Sequence, residues 1–244
     1  MKAMILAAGL GTRMSPLTDT TPKPLLKVGG KALIEWHLFN LVDAGIRDIV
    51  INHFHLGEKI EQILGDGAAY GARISYSRES VRMETAGGII KALPMLQDES
   101  FAVVNADVWT DFNFARLLPL SGKTLAHLIM VPNASHHPRG DFYLDKQGRL
   151  HNESDTSEPR YTFSGISVLH RDLFAGYPEQ PQALSPLLLK AMQTGAVTGS
   201  LYTGQWWDIG TPERLQMLDQ HLYQQLDQQL DQQLGQQLGQ QLKT

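Results

Sequence analysis

A short apolar run, Met4 to Ala7, leads directly into Ala8-Gly9-Leu10-Gly11-Thr12-Arg13-Met14. Glycines at the carboxyl end of a buried strand let backbone N–H groups turn inward and form an anion-binding concavity. Arg13 adds a planar, multi-donor cation matched to phosphate oxygens. A dinucleotide-binding fingerprint would put glycine or alanine where Met14 stands and begin a helix at once. Here Pro16, Pro22 and Pro24 follow, too dense for a regular helix. A Walker loop would close with Gly-Lys-Ser/Thr, which is absent. An extended loop facing phosphate survives these tests, beside the plainer reading of a strand-ending turn. In Pro22-Lys23-Pro24 the flanking prolines stiffen the backbone, so the lysine loses less freedom on binding and suits a phosphate.

Two carboxylates stand far apart in the chain. Asp107 follows the apolar stretch Phe101 to Val104 and should emerge at the carboxyl edge of the sheet, where open α/β folds place ligands. Asp208 lies in Trp207-Asp208-Ile209-Gly210, where it could equally shape a turn or cap a helix. Thr85-Ala86-Gly87-Gly88 reads as a glycine-rich helix start with Thr85 as a candidate cap. The histidines make no directed metal site: His53 and His55 follow a strand, and His136-His137 sit among turn residues. Trp206-Trp207 suits core and pocket wall.

The elements that must position these groups alternate in the βαβ manner. Met4–Ala7, Asp48–Asn52, Ile74–Arg78 and Phe101–Asn105 read as strands. Helices are expected over Leu33–Ala44, Gly57–Leu64 and Thr85–Leu93. Past Asp107, strand-like runs at Leu125–Val131, Phe142–Leu144, Phe163–Leu169 and Val197–Tyr202 suggest a mixed extension of the sheet. Ser185–Met192 and Thr211 onward look helical, with Pro212 in the favoured first turn.

At 244 residues the chain can bury one substantial core, and 42% hydrophobic and 19% charged residues are ordinary globular values. A net charge of −4 lacks the basic footprint of a nucleic-acid binder. No apolar stretch approaches the roughly 18 residues that cross a bilayer. The absence of cysteine excludes disulfides and thiolate metal sites and fits a reducing cytosol. A secretory signal at Met1–Leu10 is disfavoured, since removing it would delete the first core strand. A cytoplasmic location is therefore expected.

Taken in order, Gly9-Leu10-Gly11-Thr12-Arg13, Pro22-Lys23-Pro24, Asn105-Ala106-Asp107 and Trp207-Asp208-Ile209-Gly210-Thr211-Pro212-Glu213 resemble the signatures of the sugar-phosphate nucleotidylyltransferase family. The resemblance runs to about residue 215. It implies a Rossmann-like three-layer α/β fold with a mixed, mainly parallel central sheet. It implies UTP and a sugar 1-phosphate as substrates, although guanylyltransferases for mannose 1-phosphate and other hexose-1-phosphate members share every motif; a binding module that has lost turnover is the non-enzyme alternative. By resemblance, Arg13, Lys23 and Asp107 are catalytic, and Asp107 and Asp208 hold Mg2+. Ala8, Gly9, Gly11, Thr12, Arg13, Lys23, Met83 and Gly88 meet the nucleotide. Asn105, Gly140, Glu153 and Gln205 meet the sugar. Glu158 competes with Glu153, and Ser154 stands where many relatives carry a lysine, so Arg139 or Arg160 is the candidate replacement.

The chain divides into a catalytic domain, 1–223, and a tail, 224–244. Leucines at 218, 222, 226, 230, 234, 238 and 242 repeat every four residues. Such a stripe drifts about 40° per step around an ideal helix, a poor coiled-coil seam. Gly235 and Gly239 weaken the last turns further. A frayed helix dispensable for chemistry is expected, with self-association as the alternative; no other protein partner is indicated.

Overall fold

The computed structural model describes residues 1–153 and 159–241, with side chains up to residue 228. In chain order the strands and helices are β1 (Ala3–Leu6), β2 (Lys27–Val28), β3 (Lys31–Ala32), α1 (Leu33–Asp43), β4 (Asp48–His53), α2 (Gly57–Leu64), β5 (Arg73–Arg78), α3 (Glu84–Leu96), β6 (Ser100–Asn105) and β7 (Val108–Thr110). They continue with β8 (Ala126–Val131), β9 (Phe142–Leu144), β10 (Leu150–His151), β11 (Arg160–His170), α4 (Ser185–Met192), β12 (Val197–Leu201), β13 (Trp206–Asp208) and α5 (Pro212–Gln241).

The main sheet runs β10-β9-β11-β6-β1-β4-β5, with β8 joined to β11 and β12 to β8. Strands β6, β1, β4 and β5 are mutually parallel, and β11 enters antiparallel to β6. This is the mixed, mainly parallel three-layer arrangement expected.

Alternation within β1 explains the layers. Ala3 and Ile5 face a core with Ile34, Leu38, Ile60 and Leu64 of α1 and α2. Met4 faces the opposite one, with Ile89 and Leu96 of α3 and Leu187 of α4. A strand with helices on both faces must be apolar on both, and that is why these strands are continuous runs rather than alternating ones.

A third, smaller cluster joins Met14, Val28, Leu33, Trp109, Leu218 and Leu222. It packs the first loop, the β2–β3 hairpin and the start of α5 around the two-stranded ribbon β7–β13. Helix α5 runs from Pro212 to Gln241, in keeping with the helix preference of Leu and Gln. The drift of the leucine stripe is visible in its exposure: Leu218 is 0%, Leu222 8% and Leu226 50% exposed. Helix α3 also outruns expectation, passing through Pro94 to Leu96.

Candidate active site

The carboxyl ends of β1, β4 and β6 converge on one cavity lined by Ala8, Gly9, Lys23, Asn52, Asn105 and Asp107 among others. Parallel pairing sets this convergence, since Leu6 registers with both Asn52 and Asn105. The first loop is tied down where it leaves β1, with Ala7 N donating to Asn52 Oδ1 at 3.0 Å.

The two glycines of that loop do different work. A Cβ at Gly9 would meet nothing within 4 Å, so its backbone faces open space. Gly11 has φ +66, and a Cβ there would lie 2.9 Å from Thr18 Cγ2 and 3.3 Å from Lys23 Cβ. Only glycine lets the loop turn and pack against the lysine segment. Thr12 and Arg13 are exposed in a short 3-10 turn, Thr12–Met14.

Lys23 begins a second 3-10 turn and is only 8% exposed, with Nζ 2.7 Å from Asp107 Oδ2. The antiparallel register of β7 and β13 places Asp208 opposite Val108, and Ile209 N donates to Asp107 O at 2.9 Å. Two carboxylates about a hundred residues apart in sequence therefore stand side by side. Asp107 and Asp208, with Arg13 and His136, line a cavity of their own next to Asn105. Arg214 Nη1 donates to Asp208 Oδ2 at 2.7 Å. Each carboxylate thus carries one cation on its Oδ2.

The donor set is two hard carboxylate oxygens, and the described residues contain no cluster of three or more acidic or histidine ligands. Such a pair suits a hard divalent ion that keeps water and substrate oxygens in its shell, and does not suit a closed structural zinc site.

His37 is buried beneath the ribbon, with Nε2 2.8 Å from Val108 O and Nδ1 without a partner. Desolvation pushes its imidazole down from 6.5 to about 4, against the opposing effects of the Val108 carbonyl and the Asp107 charge. Neutral His37 donates Nε2–H and holds the backbone beside Asp107.

Met83 and Gly88 are both buried, and the cavity wall at this point is made instead by Asn52, Arg82, Glu84 and Thr85. A Cβ at Gly88 would lie 2.7 Å from Glu79 Oε1 and 2.8 Å from Asn52 Nδ2. Asn52 Nδ2 donates to Glu79 Oε1 (2.7 Å), and Met83 N donates to Glu79 Oε2 (3.1 Å). A buried amide–carboxylate pair therefore couples the first loop to the segment before α3. Glu84 has φ +58, left-handed geometry for a non-glycine residue at the cavity wall.

On the other side, Asn105 lines a second opening with Asp141, Phe142, Phe163 and Gly165. The β11–β8 register shifts between Phe163 and Ser167, and Gly165, φ +81, sits in that irregularity; a Cβ there would lie 2.7 Å from Asn105 Nδ2. Gly140, φ +62, is packed against Asn133 Oδ1 and the Tyr161 backbone, and its neighbour Asp141 supplies the lining side chain.

The structure does not bring the remaining two sugar candidates into these cavities. Glu153 is exposed and lines none of them. Gln205 Oε1 is 2.6 Å from His221 Nε2, and Gln205 faces a separate hollow with Lys31, Trp36 and Trp109. Arg160 lies over the Tyr143 ring at 5.4 Å and donates to Asp141 O at 2.9 Å, while Arg139 is exposed. Ser154 and Glu158 lie outside the described residues.

Sequence patterns missed Asn52, Glu79, Arg82 and Arg214. A polar residue closing the apolar strand β4 was the available signal for Asn52, since its position at the carboxyl edge follows from parallel pairing. The others depend on non-local geometry.

A mixed, mainly parallel sheet carries a glycine-rich loop, a nearly buried lysine and a ribbon with two carboxylates at the carboxyl edge of its parallel strands, the arrangement expected of a nucleotidyltransferase. The nucleotidyl transferase family model matches residues 2–142, and the chain belongs to that family. The chain is 48% identical over 222 residues to the N-acetylmuramate alpha-1-phosphate uridylyltransferase of Neisseria meningitidis serogroup B, covering 88% of this chain and 96% of that protein. It is 32% identical over 223 residues to the enzyme of the same name from Caulobacter vibrioides, covering 86% and 92% respectively. In fold it resembles the crystal structure of HddC from Yersinia pseudotuberculosis, with TM-score 0.75 and 21% identity over 90% of this chain and 98% of that one. Among the described residues no helix is long and apolar enough to cross a membrane.

Proposed function

We propose that this chain transfers the uridylyl group of UTP to N-acetylmuramate α-1-phosphate, forming the UDP-sugar and pyrophosphate in a cytoplasmic step of peptidoglycan recycling. The chemistry rests on one observation: the β7–β13 register that sets Asp107 beside Asp208 at the sheet edge, next to a nearly buried Lys23. The choice of base and sugar rests on the 48% identity to the Neisseria enzyme.

A sugar-phosphate oxygen attacks the α-phosphorus in line; the α–β bridging oxygen leaves with the pyrophosphate. The attacking oxygen is already anionic at neutral pH, so the site has to align reactants and offset charge rather than supply a strong base. Mg2+ held by Asp107 and Asp208 would supply neutralisation of charge on the phosphate oxygens. Ala8, Gly9, Gly11 and Thr12 present the loop backbone to the nucleotide, and Arg13 takes the leaving phosphates. Lys23 exchanges Asp107 for an α-phosphate oxygen. Met83 and Gly88 shape the base pocket from behind its wall. Asn105 and the Gly140–Asp141 turn face the sugar; Glu153 and Gln205 would need to move to reach it. Residues 1–223 carry the reaction, and 224–244 serve at most self-association.

The test is pyrophosphate release from a panel of UTP, GTP and dTTP against N-acetylmuramate, N-acetylglucosamine and mannose 1-phosphates, with and without Mg2+. UTP with N-acetylmuramate 1-phosphate should exceed every other pair in kcat/KM by about tenfold or more. Faster turnover with GTP and mannose 1-phosphate would overturn the assignment of base and sugar. No turnover with any pair would favour a binding module.

A further inference from the structure

Arg214 lies in the first turn of α5, where its backbone N donates to Thr211 Oγ1 at 3.4 Å. Its Nη1 is 2.7 Å from Asp208 Oδ2 and also 2.7 Å from His136 Nε2. A guanidinium only donates, so His136 Nε2 is an acceptor here. Among the described residues Asp208 is the one carboxylate hydrogen-bonded to this guanidinium, and its Oδ2 also lies 3.3 Å from His136 Nε2.

Gly210 shows what stands next to it. A Cβ built there would lie 2.2 Å from Arg214 Nη2 and 3.4 Å from Arg13 Nη1. Both guanidinium groups converge on the same stretch of bare backbone. Arg13 has no hydrogen-bond or ion-pair partner among the described residues, and it lines the cavity shared by Asp107 and Asp208. Arg13, Arg214 and Lys23 against Asp107 and Asp208 leave one positive charge in excess at this cavity. A divalent ion on Asp208 would raise that excess further. Such an arrangement calls for a polyanion, and two planar forks match adjacent phosphate groups better than one.

We propose that Arg214 is a second guanidinium for the leaving pyrophosphate: it neutralises Asp208 in the free protein and turns to the β- and γ-phosphate oxygens, opposite Arg13, when metal and nucleotide arrive. This rests on the proposed placement of Arg13 on the leaving phosphates.

The test is calorimetric titration of inorganic pyrophosphate, with Mg2+, into the full chain and its Arg214→Gln and Arg214→Lys variants. Mn2+ binding without nucleotide is followed by electron paramagnetic resonance, and melting temperature monitors folding. Arg214→Gln should weaken pyrophosphate binding by about tenfold or more, the scale of losing a charge-assisted hydrogen bond. Arg214→Lys should fall between, and affinity for N-acetylmuramate 1-phosphate and for Mn2+ should not weaken. Wild-type pyrophosphate affinity in Arg214→Gln would overturn the proposal. So would a parallel loss of Mn2+ and pyrophosphate binding, because Arg214 would then only orient Asp208. If Arg214→Gln melts early, the lysine variant decides: binding indistinguishable from wild type overturns the proposal. Failure of the wild-type chain itself to bind pyrophosphate would instead overturn the functional reading on which the proposal stands.

Discussion

His37 makes a quantitative prediction about stability and pH. Its imidazole is buried and held at about 4, against 6.5 when exposed. Between those values the unfolded chain binds a proton that the folded chain does not, so the folded state is favoured as pH rises and loses stability as pH falls through 6.5 toward 4. Each pH unit inside that window is worth ~1.4 kcal/mol, so the loss from about pH 7.5 to about pH 5 is ~2 kcal/mol, approaching ~3 kcal/mol below pH 4. Glutamine at this position removes the titration and keeps a donor for Val108 O. The assay is urea unfolding of wild type and His37→Gln at both pH values, comparing only the change between them. Asp48, Glu61 and Asp145, whose carboxyl groups are held below their usual values by their hydrogen bonds, are common to both proteins and cancel in the comparison. His127, also lowered by burial, is common to both proteins. The variant should lose ~2 kcal/mol less than wild type over the interval. An equal loss in the two proteins would refute the account of His37 as a buried neutral group.

Three further outcomes are expected. Asp107→Asn and Asp208→Asn should each remain folded and lose most Mg2+-dependent turnover, since each removes a charged ligand at nearly unchanged shape; normal turnover with a normal metal requirement would contradict the pairing. Asn52→Ala strips the partner from both Ala7 N and Glu79 Oε1. It should cost about 1–3 kcal/mol of stability in chemical denaturation and raise KM for UTP more than for the sugar phosphate. Truncation after Tyr223 should leave kcat/KM and Tm nearly unchanged, whereas truncation before Leu218 should lower Tm by several degrees, because among the described side chains of the stripe Leu218 and Leu222 are buried and Leu226 is exposed.

How much of this was legible depends on whether a feature is local. Strands β1, β4 and β6 announce themselves as apolar runs closed by turn residues, β5 by alternation of polar residues with Ile74 and Tyr76, and α1 and α2 by helical spacing. Ribbon strands β7 and β13 are three residues each. Their tryptophans, Trp109 buried and Trp206 and Trp207 half-buried, carry no period long enough to read, and their pairing joins segments about a hundred residues apart. The fate of Gln205 follows from that pairing, which turns it toward His221 and away from Asn105. Gly88 is a nucleotide contact by resemblance, in a glycine-rich helix start shared with Gly87. Gly87 would meet Gln180 O at 2.3 Å with a Cβ, and Gly88 the Asn52–Glu79 pair, so packing requires glycine at both positions. The left-handed backbone of Glu84 has no counterpart in residue type.

The small cluster around Met14, Trp109 and Leu218 belongs to neither face of the main sheet. It is nevertheless what holds the first loop, the β7–β13 ribbon and α5 together. A two-stranded ribbon has little stability of its own and borrows it from such packing. Asp107 and Asp208 can therefore be parted by an opening confined to this cluster, with both large cores and every parallel strand intact. Mild heat or denaturant would silence the chain while its circular dichroism still reported a folded protein. Amide protons of β7 and β13 would exchange with solvent well before those of β1 and β6.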